Sequence, residues 1–86
     1  MHRTTNRFWK CLENLPIAVQ NVSKKNFELL KTNPSHPSLH FKEVGKFWSV
    51  RTGINHRALA IKDGEDFIWV WIGSHNEYEQ MIKKNG

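Results

Sequence analysis

The chain has 86 residues and a formal net charge of +5, with 13 lysines and arginines against 8 acidic residues. That length allows a single domain spanning 1–86, and the positive charge suits a polyanionic partner as well as an ordinary basic surface. The single cysteine, Cys11, excludes an internal disulfide, which is typical of a reducing compartment. The sequence lacks a run long and apolar enough to span a membrane, and its N-terminus lacks a signal peptide's apolar centre, so we expect a cytoplasmic protein without membrane contact.

The N-terminal half is predicted to be helical after a short edge strand at residues 2–4. Thr4 or Thr5 suits the N-cap of a first helix, because a hydroxyl there accepts a backbone N–H that lacks a partner. Pro16 fits the first turn of a second helix that runs to about Lys31, and the short link predicts an antiparallel helical hairpin. The side chains predicted to face the core are Phe8, Trp9, Leu12, Leu15, Ala18, Val19, Val22, Leu29 and Leu30.

Residues 47–78 contain three strand-like runs joined by two turns. Asp63-Gly64 lies between apolar runs and predicts a tight hairpin, because such a turn requires a positive φ. Gly53-Ile54-Asn55 predicts the other hairpin, which would place Arg51 directly opposite Arg57. Residues 39–44 alternate and predict an additional strand before these two hairpins.

Side-chain alternation assigns residues to the two faces of this sheet. One face is expected to carry Ala58 and Ala60 on the side of Phe67 and Trp69. The other face is expected to carry Arg57, Leu59, Ile61, Ile68, Val70 and Ile72. Ser74 suits the N-cap of a short final helix, and the fold class is α+β: an antiparallel sheet of about four strands plus the N-terminal edge strand, with the helical hairpin packed on it.

The predicted pairing of Arg51 with Arg57 suggests an anion site. Like charges directly opposite each other on one face are unfavourable, so splayed side chains, a carboxylate or a bound anion must offset them. Two solvated arginines are the simplest interpretation for a surface, whereas their convergence in an otherwise apolar sheet favours an anion.

The polar residues after the third run supply candidate proton-transfer groups. Histidine is the residue type most suited to proton transfer near neutral pH, which makes His75 a candidate, and Tyr78 follows three residues later, which would place it beside His75 on a helical turn. Glu77 either orients His75 or is solvated. The alternatives are that His75 has no role and that Tyr78 packs on Trp71 as core.

Other chemistries find little support in the sequence. The five histidines lack metal-ligand spacing, and we expect neither a metal nor another cofactor. A glycine-rich phosphate loop and a Ser-His-Asp or Cys-His pattern are also missing. Metal-free cleavage of RNA, by contrast, needs a base for the 2′-hydroxyl, cations for the phosphorane and an acid for the departing 5′-oxygen, which arginines and His75 would supply.

Several stretches together resemble the RelE/ParE toxin superfamily of bacterial toxin–antitoxin systems. The resemblance covers nearly the whole chain and depends on the order and spacing of the stretches, since each alone has low specificity. They are Asn33-Pro34, HPSLHFK at 36–42, WSVRTG at 48–53, HRALA at 56–60 and WIGSHNEY at 71–78.

The resemblance implies a metal-independent endoribonuclease that cleaves messenger RNA, with or without the ribosome, and an antitoxin that holds it inactive in a hetero-oligomer. By position, Arg51 and Arg57 match the arginines that hold the scissile phosphate, and His75 and Tyr78 match the C-terminal catalytic cluster. The RNA-binding residues expected beside them are His40, Lys42, Lys46 and His56.

The chain departs from the family pattern at the general base. Phe47 and Ser49 occupy the strand positions of the lysines that act as bases in RelE, so His75, His40 or His56 would have to serve. The alternatives to a nuclease are a ParE-like, non-catalytic inhibitor of DNA gyrase and an inactive protein that only binds its antitoxin.

Overall fold

The computed structural model describes residues 1–85 and contains a five-stranded sheet with helices on both faces. In chain order the elements are β1 (His2–Thr4), α1 (Asn6–Glu13), α2 (Ile17–Thr32), β2 (Lys42–Val44), β3 (Phe47–Thr52), β4 (His56–Asp63), β5 (Asp66–Ser74) and α3 (His75–Asn85). The strand order is β1-β5-β4-β3-β2. Across the described part of the chain, every helix is too short or too polar to traverse a lipid bilayer.

The edge strand β1 makes the sheet mixed, where the sequence predicted an antiparallel one. His2–Thr4 forms a strand as predicted, but it pairs with β5 in parallel. The other strand pairs are antiparallel. A parallel neighbour requires a long crossover connection, and here the rest of the chain supplies it.

Both predicted hairpins form, the first in the expected register and the second with its turn shifted by one residue, to Gly64-Glu65. Arg51 lies opposite Arg57 and Thr52 opposite His56, so the turn consists of Gly53-Ile54-Asn55. In the second hairpin Asp63 pairs with Asp66, which leaves Gly64 in the turn at φ +61°. These two turns set the face on which each side chain of the central strands lies.

A β-bulge between Leu59 and Ala60 changes part of the predicted face assignment. Ala60 pairs with Trp69 as expected, but Ala58 pairs with Ile72 and Leu59 with Trp71. Ile72 therefore lies on the Ala58 face, and its predicted place beside Arg57 is wrong. An additional residue in one strand reverses alternation beyond it, and the sequence around Leu59 carries no glycine to indicate it.

The face of the sheet toward α1 and α2, here the hairpin face, carries the main core. Phe8 and Leu12 from α1 and Leu30 from α2 pack there against the sheet. Thr5 caps α1 by accepting the Phe8 N–H at 3.2 Å, and its own hydroxyl donates to the Trp69 carbonyl at 3.1 Å. The sheet residues of this core are Val50, Ala58, Ala60, Trp69 and Ile72.

The buried side of α2 differs from the predicted one. Leu30 is buried and Leu29 packs on the core as predicted, but Ala18 and Val22 are exposed, and Ser23 and Phe27 face the core instead. The spacing of 23, 27 and 30 is helical, so the helix is rotated relative to the predicted stripe. Apolar periodicity could not reveal this rotation, because a small polar residue occupies one of the inward positions.

The predicted strand at residues 39–44 is shorter than expected. Pro37–Leu39 forms a 3-10 turn, and His40 follows in the left-handed region at φ 47°. Only Lys42–Val44 pairs with β3. Pro37 fixes φ and lacks an N–H, which favours a turn at this point, while Leu39 is fully buried as an anchor for the turn.

Candidate active site

The opposite face of the sheet, here the α3 face, carries the predicted arginine pair. Alternation places Ser49, Arg51, Arg57 and Leu59 on this side, and α3 packs over the same strands through Tyr78. Both arginines are half-buried. The pair is thus held at the junction between an apolar cluster and solvent, as the register predicted.

Each arginine is fixed by one hydrogen bond that leaves most of its guanidinium N–H groups available. Arg51 Nε donates to the Gly53 carbonyl at 3.0 Å, and Arg57 Nε donates to His75 Nδ1 at 3.3 Å. The Arg57 guanidinium lies over the Tyr78 ring, with Cζ 5.3 Å from the ring centroid. Such stacking orients a guanidinium without neutralising its charge.

The arginine pair lacks a compensating carboxylate. Among residues 1–85, the ion pairs do not include Arg51 or Arg57. Arg57 Nη1 is buried, and within the described residues it has no hydrogen-bond acceptor. A buried donor without a partner is costly, and the cost is larger for a charged group. Because solvent does not reach Nη1 as the side chain stands, an anionic oxygen would contact it only after the guanidinium turned outward.

The position of His75 follows from the end of β5 and the start of α3. Its backbone N–H donates to the Asn55 carbonyl at 2.7 Å, which ties it to the turn of the β3–β4 hairpin. Ser74 and Glu77 form a capping box: the Ser74 N–H donates to Glu77 Oε1 at 3.1 Å, and the Glu77 N–H donates to Ser74 Oγ at 3.2 Å. Glu77 thus caps the helix and does not orient His75.

Glu79 is the carboxylate that contacts His75, and the sequence reasoning missed it. His75 Nε2 lies 2.9 Å from Glu79 Oε1. Because Arg57 Nε–H donates to Nδ1, the neutral ring carries its proton on Nε2 and donates it to Glu79. The spacing of four residues on a helix was the available signal for this pair. The arrangement leaves the Nδ1 lone pair facing Arg57.

Tyr78 combines the two interpretations that the sequence left open. It is 8% exposed and packs with Phe47, Leu59 and Trp71, so it is part of the core. Its ring also stacks on His75, with centroids 5.9 Å apart and an interplanar angle of 25°. Tyr78 therefore holds the His75 ring from the apolar side of the site.

Gly73 lies directly across β4 and β5 from Arg57 and was not identified from the sequence. A Cβ at this position would overlap the Trp71 ring. The missing side chain therefore lets the indole of Trp71 fill the space beside Arg57. A glycine inside a strand is a general signal for such a close approach.

The residues predicted to bind RNA do not all lie on the face that carries Arg57 and His75. Lys42 pairs with Ser49 on the α3 face and is exposed, and Lys46 lies in the following turn with its ammonium 5.8 Å from the Phe47 ring centroid. His40 is exposed before β2. His56 pairs with Thr52 and so lies on the hairpin face, away from Arg57.

Phe47 and Ser49, which stand where the resemblance to RelE implied lysines, lie on the α3 face of β3. Phe47 is buried in the apolar cluster. Ser49 is fully buried, and its hydroxyl has no acceptor or donor among the described residues. Within residues 1–85, three or more His, Cys, Asp or Glu side chains do not come together as a metal site. Among the described residues of this face, His75 is the imidazole that contacts Arg57.

Comparison with known proteins identifies the fold. No family model and no curated protein matches the chain. Among solved structures, it is similar to the RelE toxin in the RelB–RelE antitoxin–toxin complex from Methanococcus jannaschii, with a TM-score of 0.71 and 17% identity over 92% of this chain and 96% of that one.

Two further toxin–antitoxin complexes resemble it. The RelBE2 complex from Mycobacterium tuberculosis gives a TM-score of 0.62 and 22% identity, covering 86% of this chain and 95% of that one. The archaeal RelE–RelB complex from Pyrococcus horikoshii gives 0.62 and 16%, covering 86% and 92%. The chain therefore has the fold of the RelE toxins, and the predicted α+β class is confirmed.

Proposed function

We propose that this protein is the toxin of a toxin–antitoxin pair and that it cleaves messenger RNA as a metal-independent endoribonuclease. The observation that carries the proposal is the uncompensated Arg57, whose Nη1 lacks a partner and whose Nε donates to His75, within the fold of the RelE toxins. A cation that lacks an acceptor beside a neutral imidazole is the combination that phosphoryl chemistry without metal requires.

In this mechanism the two arginines receive the scissile phosphate. A guanidinium matches two phosphate oxygens in a bidentate fork, and the charge on the phosphorane strengthens both hydrogen bonds. Arg57 contributes through Nη1, and Arg51 is held beside it by the Gly53 carbonyl. Their mutual repulsion is relieved by the anion, so phosphate binding and site assembly reinforce each other.

His75 acts as the general base on the 2′-hydroxyl. When Arg57 turns toward the phosphate, it releases Nδ1, whose lone pair is then free to accept the proton. Glu79 keeps the other proton on Nε2 and stabilises the imidazolium that forms. The 2′-oxygen attacks phosphorus, the bond to the 5′-oxygen breaks, and the departing oxygen takes a proton from the imidazolium or from Tyr78, leaving a 2′,3′-cyclic phosphate.

Lys42, Lys46 and His40 are proposed to contact the RNA backbone outside the reacting group. All three are exposed, and Lys42 shares the α3 face with Arg51. Exposed cations along a backbone add affinity that weakens with salt and carries no sequence preference. His56 lies on the other face, so we assign it no contact with the scissile phosphate.

The antitoxin is proposed to cover the surface around Arg51, Arg57 and Lys42 with an acidic or apolar segment. We place it there because the chain has a net charge of +5 and the arginine pair has no carboxylate partner among the described residues. Affinity should fall as salt rises, because exposed charges are screened within about 10 Å at 0.1 M ionic strength. An affinity insensitive both to salt and to Arg57→Ala would contradict this position.

Induction in a bacterial host tests the proposed function. We expect growth arrest that co-expression of the antitoxin gene reverses, together with new messenger RNA ends inside coding regions. Cleavage of purified RNA with and without ribosomes then decides whether the ribosome is needed. Growth arrest with DNA damage and no new RNA ends would instead indicate a gyrase inhibitor, and unaffected growth despite strong expression would contradict the toxin proposal.

A further inference from the structure

The turn between β3 and β4, residues 53–55, supplies main-chain carbonyls to two parts of the candidate site. The Gly53 carbonyl accepts the Arg51 Nε–H at 3.0 Å. The Asn55 carbonyl accepts the His75 backbone N–H at 2.7 Å. The groups proposed to bind the phosphate and to transfer the proton are therefore both connected to one short turn.

The left-handed residue of this turn stands in an uncommon position. A three-residue hairpin loop is most often a type I turn followed by a left-handed residue, which puts the positive φ at its third position. Here the positive φ, +71°, belongs to Gly53, the first residue of the turn. Asn55, at the third position, does not have a positive φ, although asparagine tolerates one. Glycine thus stands at the residue whose carbonyl faces Arg51.

Space alone does not require a glycine at residue 53. A Cβ there would lie 3.7 Å from Val22 Cγ1 on α2, which is an ordinary van der Waals contact. The constraint is the φ of +71°, because an L-residue in the left-handed region brings its Cβ close to the following carbonyl oxygen. A residue with a side chain would favour a negative φ, and that rotation would carry the carbonyl away from Arg51 Nε.

Helix α2 fixes the backbone of Arg51 independently of the turn. Arg51 lies beyond Ser49, the last residue of β3 that pairs with β2. Its carbonyl instead accepts the side-chain N–H of Asn26 on α2, with Nδ2 at 3.2 Å. Because α2 holds the main chain in this way, the Gly53 carbonyl has one remaining task, which is to orient the side chain.

We propose that Gly53 is a positioning residue of the candidate site: its left-handed backbone directs its carbonyl at Arg51 Nε, and this bond orients the guanidinium toward the scissile phosphate. The last step alone rests on the proposed nuclease function. The hydrogen bond and its dependence on the φ of Gly53 are properties of the free chain. A turn that only reversed the direction of the strands would not need a carbonyl at this point.

Gly64, in the turn between β4 and β5, provides a matched control. Its φ is +61°, and a Cβ at this position would meet no atom within 4 Å. Gly53→Ala and Gly64→Ala therefore impose a similar backbone strain, and both should lower the urea unfolding midpoint by similar amounts. Gly64 lies at the opposite end of β4 from Arg57, so its substitution should leave Arg51 unaffected.

The first measurement is the exchange of the Arg51 Nε–H with water, by ¹H–¹⁵N NMR of the purified full-length chain. Arg7, an exposed arginine of α1, gives the reference rate. We expect the Arg51 Nε–H to exchange about two- to tenfold more slowly than that of Arg7, which is the protection that one net hydrogen bond gives. Gly53→Ala should remove this protection. Gly64→Ala should keep it, and so should Gly53→Asn, because asparagine tolerates the left-handed conformation.

The second measurement is the RNA cleavage rate of the same chains. Gly53→Ala should lower the rate about two- to tenfold, the effect of losing one orienting hydrogen bond. Gly53→Asn should restore it, and Gly64→Ala should leave it unchanged despite a similar loss of stability. If the wild-type chain cleaves no RNA, the proposed function fails, whereas the exchange of the Arg51 Nε–H still tests the positioning.

Either of two results would overturn the inference. One is a wild-type Arg51 Nε–H that exchanges as fast as that of Arg7, which would show that the carbonyl does not hold the side chain. The other is a Gly53→Ala variant that is destabilised like Gly64→Ala but keeps the wild-type exchange rate at Arg51, which would make Gly53 a turn residue alone. If Gly53→Ala fails to fold, Gly53→Asn takes its place: wild-type protection supports the inference, and exchange as fast as that of Arg7 overturns it.

Discussion

The two faces of the central sheet both bury polar groups without partners, but they differ in charge. On the hairpin face these groups are the neutral hydroxyls of Ser23 and Thr52. On the α3 face they include the guanidinium of Arg57 and the hydroxyl of Ser49. An unpartnered cation costs more than an unpartnered hydroxyl, so the α3 face carries the stronger demand for a ligand.

The neighbours of these groups sharpen the comparison. The hairpin face encloses its hydroxyls among aromatic and aliphatic side chains, and solvent does not reach them. On the α3 face, Arg57 lies beside Arg51 and His75, next to solvent. This arrangement suits a phosphate that has a nucleotide on each side. The two faces thus differ in chemistry, and changes on one face should leave the other unaffected.

The largest expected effect is that of Arg57→Ala on toxicity. Removing one donor to a transition-state oxyanion typically costs about 3–4 kcal/mol, or 10²–10³ in rate, so growth arrest should be lost. The fold should remain, because the side chain is half-buried and outside the main core. Growth arrest and melting temperature are measured on the same variant, with Arg7→Ala, on an exposed arginine of α1, as the control.

The opposite pair of outcomes would refute the phosphate assignment. If Arg57 only repels Arg51, its removal raises the melting temperature slightly and leaves growth arrest undiminished.

Gly73→Ala should give the next largest effect, on stability. Its Cβ would overlap the Trp71 ring, and overpacking of this kind costs typically about 1–3 kcal/mol. Urea unfolding measures the loss. Ser49→Ala on the same face is the contrast, because it removes a buried hydroxyl without a partner and should be neutral or stabilising. Equal unfolding midpoints for Gly73→Ala and the wild type would show that Trp71 does not occupy this space.

The two glutamates of α3 are expected to affect different properties, Glu77 the stability and Glu79 the RNA cleavage rate. Glu77→Ala removes the capping box with Ser74 and should cost about 1 kcal/mol of stability. Glu79→Ala should lower the RNA cleavage rate while changing the unfolding midpoint little, because the His75 pair is partly exposed. Glu79→Gln keeps an acceptor oxygen for Nε2–H and should recover part of the rate.

A cleavage rate that Glu79→Ala leaves at the wild-type value would remove Glu79 from the mechanism. An unchanged unfolding midpoint in Glu77→Ala would show that the capping box does not stabilise the chain.

The smallest expected effect concerns His2 and pH. Because burial lowers its pKa in the folded state, the unfolded chain binds the proton more readily, so stability is full above pH 6.5 and falls as pH drops toward the folded value. His2→Gln keeps an acceptor for the Trp69 N–H but does not titrate, so the loss of stability between pH 7.5 and 5 should be smaller. His40→Gln, on an exposed histidine, is the matched control, and equal slopes in all three chains would contradict this origin.

Local turn signals predicted the fold well, because they are decided within a few residues. Gly53-Ile54-Asn55 predicted the register of the first hairpin, and the pairing of Arg51 with Arg57 followed. Asp63-Gly64 located the second turn to within one residue. The parallel pairing of β1 with β5 joins residues more than sixty positions apart, and no local pattern encodes its direction. The bulge beside Leu59 likewise has no local signal in the sequence.

The candidate site was predicted only in part, for a similar reason. His75 and Tyr78 lie side by side as their helical spacing required. The choice between Glu77 and Glu79 was not decided by spacing, because it depends on where α3 begins: Ser74 as the cap engages Glu77 and leaves Glu79 for His75. The hydrogen bond between Arg57 and His75 joins the start of β4 to the start of α3, and no local sequence pattern indicates that these two points are close.

The most direct test of the central claim is cleavage of an RNA in which one ribose at the mapped cleavage site is replaced by 2′-deoxyribose. We expect the purified chain, with EDTA present and with ribosomes if these are needed, to cut the unmodified RNA and leave a 2′,3′-cyclic phosphate. A single 2′-deoxy substitution should abolish cleavage at that site alone, because His75 then has no hydroxyl to deprotonate. Undiminished cleavage of the 2′-deoxy RNA would contradict the account.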